Sequence, residues 1–173
     1  MTDVVEPAPI PLRQGERPPL DGAVKVAVVD DGTQHHHSAR TKARKAALDV
    51  LYGAELTGRD ALETLNATDP PARLLTYELV SGVVTNEQDI DDALTAAFTG
   101  DWTLDRMPGI DKALARLAVW ELMFTGTPPA AVISEAVALA DEYSTDASAG
   151  FLTSVLGTVH EHLEARRDEA PND

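Results

Sequence analysis

From Ser38 onward, apolar residues recur at steps of three and four, the spacing that gathers side chains on one face of a helix. Ser38 is an N-cap candidate, and Ala43, Ala47, Val50, Leu51 and Ala54 form an inward stripe that runs to Gly58. A short helix is expected over Asp60 to Leu65. Asp69 and Pro70 then read as the cap and first turn of a long helix, with Leu74, Leu75, Leu79, Val80, Val83, Val84, Ile90 and Leu94 near one stripe. Gly82 inside that pattern marks a close helix approach or a bend. Beyond Thr99 and Gly100, Ile110, Leu114, Leu117, Ala118 and Leu122 give another amphipathic run, ended by Gly126 and Pro128. Two further runs place Val132, Ile133, Ala136, Val137 and Ala140 inward, then Leu152, Val155, Leu156, Val159 and Leu163, with Arg166 and Arg167 suiting a helix C-terminus. The expected class is all-α, a bundle of six or seven helices with short connections.

Residues 1–37 break this rhythm. Pro7, Pro9, Pro11, Pro18 and Pro19 interrupt scattered charge without a helical period, which predicts a disordered or weakly structured extension. Val24 to Val29 is β-branched and lies between Gly22 and Asp30, but a single strand has nothing to pair with, so a transient extended segment is expected. The helical domain is expected over residues 38–167, and 168–173 reads as a C-terminal tail.

Composition narrows the class. The 173 residues contain no cysteine, so neither disulfides nor thiolate zinc sites are available, and a reduced cytoplasm is the expected setting. No apolar run reaches the ~18 residues of a membrane span. The opening MTDVVEPAP carries acids and prolines where a signal peptide would be basic and then apolar, so a soluble, unexported protein with no membrane partner is expected. The net charge of −15 argues against polyanions until its distribution is followed. Residues 38–52 hold four bases (Arg40, Lys42, Arg44, Lys45) against one acid, Asp49. Residues 53–173 hold seven bases against 22 acids. A basic segment on an acidic body implies two partners, a polyanion for the first and a basic protein for the second.

Catalytic patterns are missing. The sequence has no glycine-rich phosphate loop and no HExxH, and without cysteine no thiol nucleophile, so no enzyme activity, cofactor or metal site is expected. His35, His36 and His37 fall in the extension and lack the fixed geometry of a metal site. His160 and His162, two apart, point to different helix faces. Asp91 with Asp92, and Asp141 with Glu142, read as solvated faces. Arg40 and Arg44, four apart, share a face, and Lys42 and Lys45 cover the adjoining surface at a helix start whose dipole also favours anions. Outward-facing contact with RNA or phosphate is the expectation, and a solvated face is the bland alternative.

RTKARKAALDVLY resembles the arginine-rich opening helix of the NusB family, R-x-x-A-R-x-x-A-(L/V)-x-x-L-Y, through Arg40, Ala43, Arg44, Ala47, Leu48, Leu51 and Tyr52. Three further blocks resemble the family in order: Glu78 to Asn86, the segment WTLDRMPGIDKALARLAVWELMF, and PAAVISEAVALADEYSTDASAGFLTSVLG. The resemblance spans nearly all of residues 38–160. It implies a seven-helix fold in two small subdomains, and a role in transcription antitermination. The implied partners are boxA-type single-stranded RNA of ribosomal RNA leaders, ribosomal protein S10 (NusE), and the antitermination complex on RNA polymerase. Carried over position by position, RNA contacts fall on Arg40, Lys42 and Arg44, with Lys45 beside them, and on Phe151, whose spacing equally suits a core position. The S10 surface implied by the central block points to Asp105 and Asp111, whose charge suits a basic ribosomal protein.

The chain departs from the family where relatives read D-S-x-x-F-V-N-G-V-L. Ala147 stands for the aspartate, and Thr153 and Ser154 for the Asn-Gly pair. The competing expectation is therefore a protein-interaction module of the same fold with lost or altered RNA binding, or a homodimer that hides the basic helix. The fold also opens ribosomal RNA cytosine methyltransferases, but the chain ends at Asp173 without room for a catalytic domain, so an adaptor is expected.

Overall fold

The computed structural model describes residues 38–68 and 72–169. The extension with Val24 to Val29 and the histidine triplet, the Asp69 and Pro70 cap, and residues 170–173 lie outside the described residues. The elements are α1 (Ala39–Thr57), α2 (Ala61–Asn66), α3 (Leu74–Thr85), α4 (Glu87–Ala97), a 3-10 turn (Leu104–Arg106), α5 (Gly109–Phe124), α6 (Pro129–Tyr143) and α7 (Ser148–Glu169). The class is all-α, with no strand among the described residues.

Local chemistry sets most ends. Ser38 Oγ accepts the Thr41 amide at 3.1 Å, and Gly58 closes α1 at φ 66°, a left-handed conformation that glycine adopts without Cβ strain. Asp60 caps α2 by accepting the Glu63 amide at 2.9 Å. Pro129 opens α6, where its missing N–H costs nothing. At the far end, α7 runs through Asp168 to Glu169, two residues into the stretch expected to be tail.

The long helix expected from Asp69 to Leu94 is two helices. Asn86 divides them: its backbone N–H and its side-chain Nδ2 both donate to the Gly82 carbonyl, at 3.1 and 2.7 Å, while its own carbonyl accepts the Ile90 amide at 3.0 Å. With ψ at 21° the chain turns there. A side chain that competes for the i−4 carbonyl breaks helical continuation, which an apolar stripe cannot reveal. Leu74, expected inward, is 74% exposed at the first position of α3.

α5 is the central element and packs against α1, α3, α4, α6 and α7. It thereby joins α1 to α3 with α4 to α7 over one continuous apolar core, in which Ala47, Val80, Ile90, Leu94, Ala115, Val119, Leu152 and Leu156 are fully enclosed. Alanines on α1 and α5 let the helix axes approach closely, and Leu, Ile and Val fill the space between layers. A guanidinium clamp ties α4 to α5: Arg116 Nε and Nη2 donate to Asp91 at 2.9 and 2.8 Å, so Asp91 is a bridging residue rather than the solvated acid expected. Lys112 of α5 reaches Glu55 of α1 at 2.6 Å.

Candidate nucleic-acid interface

The opening turns of α1 divide into two halves. Arg40 and Lys42 are exposed, and neither has a carboxylate partner among the described residues. Arg44 turns inward instead and is 7% exposed. Its Nε and Nη2 donate to the two oxygens of Glu121 on α5, both at 2.7 Å, and its Nη1 lies 3.4 Å from Glu135 of α6. Thr41 completes the cluster by donating to Glu135 at 2.7 Å. The outward Arg44 of the sequence reading is thus corrected. Position 44 falls on the stripe with Ala43, Ala47 and Leu48, and a buried carboxylate on α5 compensates its charge. The two-point hydrogen bond to Glu121 raises the Arg44 pKa further above its ordinary value, against the opposing effect of burial.

Lys45 is also engaged, though at the surface. Its ammonium lies 2.8 Å from Glu142 and 4.9 Å from the centre of the Tyr143 ring at the end of α6. The hydrogen bond to Glu142, then that to Tyr143, raises its pKa. Among the described residues, two of the four expected cations therefore remain for a polyanion without breaking an internal pair.

Phe151, on the first turns of α7, is half-buried. Its ring stacks against Phe98 at 6.4 Å and meets Trp102 edge-on at 5.2 Å, while the Arg106 guanidinium lies 5.3 Å over Trp102. Phe151 thus packs into an aromatic cluster, as its core spacing suggests, without being fully buried. Phe98 and Trp102 were not singled out in the sequence, because neither lies on a helical stripe. Thr153 and Ser154 are exposed, with the Thr153 hydroxyl donating back to Ala149 at 2.8 Å.

The two acids expected to meet a basic partner separate. Asp105 is exposed on the 3-10 turn. Asp111 is 3% exposed in the first turn of α5, where it accepts the hydroxyls of Ser144 at 2.5 Å and Ser148 at 2.8 Å. It pins the α6 to α7 connection and offers no accessible carboxylate, which corrects its expected place on the partner surface. Both Asp111 and Glu121 fall on the inward stripe of α5 with Leu114, Leu117, Ala118 and Leu122. A charge on an apolar stripe was the signal that marks them as interior.

Between α1, α3 and the end of α5 opens a cleft of about 370 Å³, lined by Arg40, Glu78, Trp120, Thr125 and Thr127 among others. Trp120 packs against Gly82, where an added Cβ would overlap the indole. His160 and His162 show no partnership, and no group of three potential metal ligands occurs among the described residues.

Residues 41–161 match the NusB family model. The chain belongs to the NusB family. It is 44% identical over 158 residues to a transcription antitermination protein NusB of Cutibacterium acnes, an alignment that covers 88% of this chain and 60% of that longer relative. A NusB of Nocardioides is 42% identical over 127 residues, covering 70% of this chain and 93% of its own length. The fold matches T. maritima NusB with a TM-score of 0.65 at 24% identity, over 72% of this chain and 92% of that one. It also matches a chain in the crystal structure of antitermination factors NusB and NusE in complex with double-stranded RNA, with a TM-score of 0.62 at 25% identity, over 71% of this chain and 96% of that one. No helix among the described residues is long and apolar enough to cross a membrane.

Proposed function

We propose that this chain is a non-catalytic RNA-binding adaptor of transcription antitermination, which recognises boxA-type leader RNA together with ribosomal protein S10 (NusE) within the complex on RNA polymerase. The observation that supports the RNA arm is the pair of exposed cations at the N-terminus of α1, Arg40 and Lys42, which have no carboxylate partner among the described residues. Their charge and the helix dipole attract phosphate on an otherwise acidic protein. The solved NusB and NusE complex with RNA has the same fold and supports both partners. Phe151 would offer its remaining ring surface to a base. Asp105 would face the basic ribosomal protein, with Asp111 supporting that surface from beneath.

The test is fluorescence anisotropy of boxA-type and scrambled RNA, with and without S10, across a salt titration. Replacing Arg40 and Lys42 together by Ala is expected to weaken every RNA and to flatten the slope of log K against log salt by about 0.7 per lost contact. A parental slope in the double variant would remove α1 from the interface.

One observation favours a second reading, a protein-interaction module with reduced RNA affinity. Arg44 and Lys45 are both committed to carboxylates, so the accessible positive charge is half of what the sequence displays. In that case S10 binding persists while boxA and scrambled RNA bind equally weakly.

A further inference from the structure

The cleft between α1, α3 and the end of α5 sets two chemistries that the phosphate contact does not use beside one cation that it does. Trp120 supplies an aromatic wall, fixed against α3 because Gly82 leaves no side chain between them. Glu78 is exposed at the rim, and its carboxylate has no hydrogen bond or ion pair among the described residues. Arg40, exposed and without an ion pair among the described residues, lines the same cleft. The floor is closed by Arg44 and Glu121, which neutralise each other and leave no net charge for a ligand to meet.

From this arrangement we infer that the cleft receives one unstacked guanine of the bound RNA, its ring against Trp120 and its N1–H and N2–H donors on the Glu78 carboxylate, with Arg40 on the adjoining phosphate. The inference rests on the RNA-binding reading above and adds a base-specific contact to it. A volume of about 370 Å³ lies within the ~300–1,000 Å³ of pockets that hold small molecules. Charge then selects the orientation. A carboxylate repels phosphate, so within a nucleotide Glu78 favours groups that donate, a ribose hydroxyl or a base edge that presents N–H donors. Guanine alone among the four bases presents two adjacent donors on its Watson–Crick edge, which matches the two oxygens of a carboxylate. Single-stranded RNA is read in this way, by bases splayed onto aromatic faces and hydrogen-bonded along their edges.

The experiment is an abasic scan of a boxA-type RNA against the full chain by anisotropy, followed by inosine for guanine at any sensitive position, in the parent and in Glu78→Gln and Trp120→Leu variants. In the parent, one guanine position loses affinity roughly tenfold when made abasic, the scale of one base stacked on an aromatic side chain. Inosine there, lacking the N2 amine, recovers only part of it. In both variants that position becomes insensitive, while the salt slope set by Arg40 and Lys42 is unchanged. Glu78 is at the surface, so Glu78→Gln carries the test by itself if Trp120→Leu unfolds by circular dichroism. A sensitive position that persists in Glu78→Gln, or the lack of any sensitive position, overturns the pocket and leaves the adaptor reading standing. Loss of S10 affinity with parental RNA binding overturns it in favour of a protein surface. If the parent binds no RNA at any salt, the adaptor reading fails and the pocket with it.

Discussion

Arg44 of α1 and Glu121 of α5 meet through two parallel hydrogen bonds of 2.7 Å, both side chains more than nine-tenths enclosed. The pair joins the helix that carries the exposed cations to the central helix of the core, so the direction in which Arg40 and Lys42 point depends on it. Breaking it leaves a buried charge without a partner, which costs about 3–5 kcal/mol. Arg44→Met and Glu121→Gln are each expected to lose stability on this scale in urea denaturation, whereas Arg44→Met with Glu121→Leu loses much less. Arg44→Met, assayed under conditions where it is folded, should keep the parental salt slope for RNA, since its guanidinium is not on the surface.

Asp111 is expected to behave as a structural residue. Asp111→Ala removes the acceptor of the Ser144 and Ser148 hydroxyls and should destabilise by about 1–3 kcal/mol, with amide exchange accelerated through residues 144–148. Asp111→Asn keeps one acceptor oxygen and should fall between that variant and the parent. If Asp111→Ala unfolds at the parental denaturant midpoint, the interior role is wrong.

At Gly82 the expectation is steric. Alanine there would place its Cβ within the Trp120 indole, and α3 backbone cannot yield as a flexible side chain does. Gly82→Ala should therefore cost about 1–3 kcal/mol despite the better helix propensity of alanine, and shift the tryptophan emission as the ring is displaced.

Lys45 gives a pH dependence of defined sign. Its pKa in the folded chain is raised above the ordinary 10.5 by the hydrogen bond to Glu142, then by that to Tyr143. A cation whose folded pKa is raised stabilises fully below the unfolded value and loses that contribution as pH rises through the folded one. The melting-temperature gap between the parent and Lys45→Met should accordingly be constant at neutral pH and close only on the alkaline side of 10.5. The contribution is below about 1 kcal/mol, because both groups are partly solvated.

The helical class and most of the buried faces were legible in the sequence because each depends on short-range periodicity. Ser38, Gly58 and Asp60 terminate helices through bonds to residues within four or five positions, so their chemistry can be read locally. The division at Asn86 escaped because its second hydrogen bond runs along the helix, where an apolar stripe leaves no trace. The candidate interface was half legible. A count of bases placed four cations on α1, and their spacing put Arg40 and Arg44 on a common face.

Residue order along the chain determined that α1 would begin with positive charge and that α5 would carry Asp111 and Glu121 on its apolar stripe. Only the tertiary structure decided that Arg44 would be neutralised within the fold by Glu121, 77 positions away, while Arg40 and Lys42 stayed in solvent. The cleft that joins Arg40, Glu78 and Trp120 has the same origin, since three separate helices supply its walls. The physical reason is that Coulombic and hydrogen-bond energies depend on distance in space and on local burial. Periodicity fixes which face a side chain occupies and is silent on which opposing charge it will meet there.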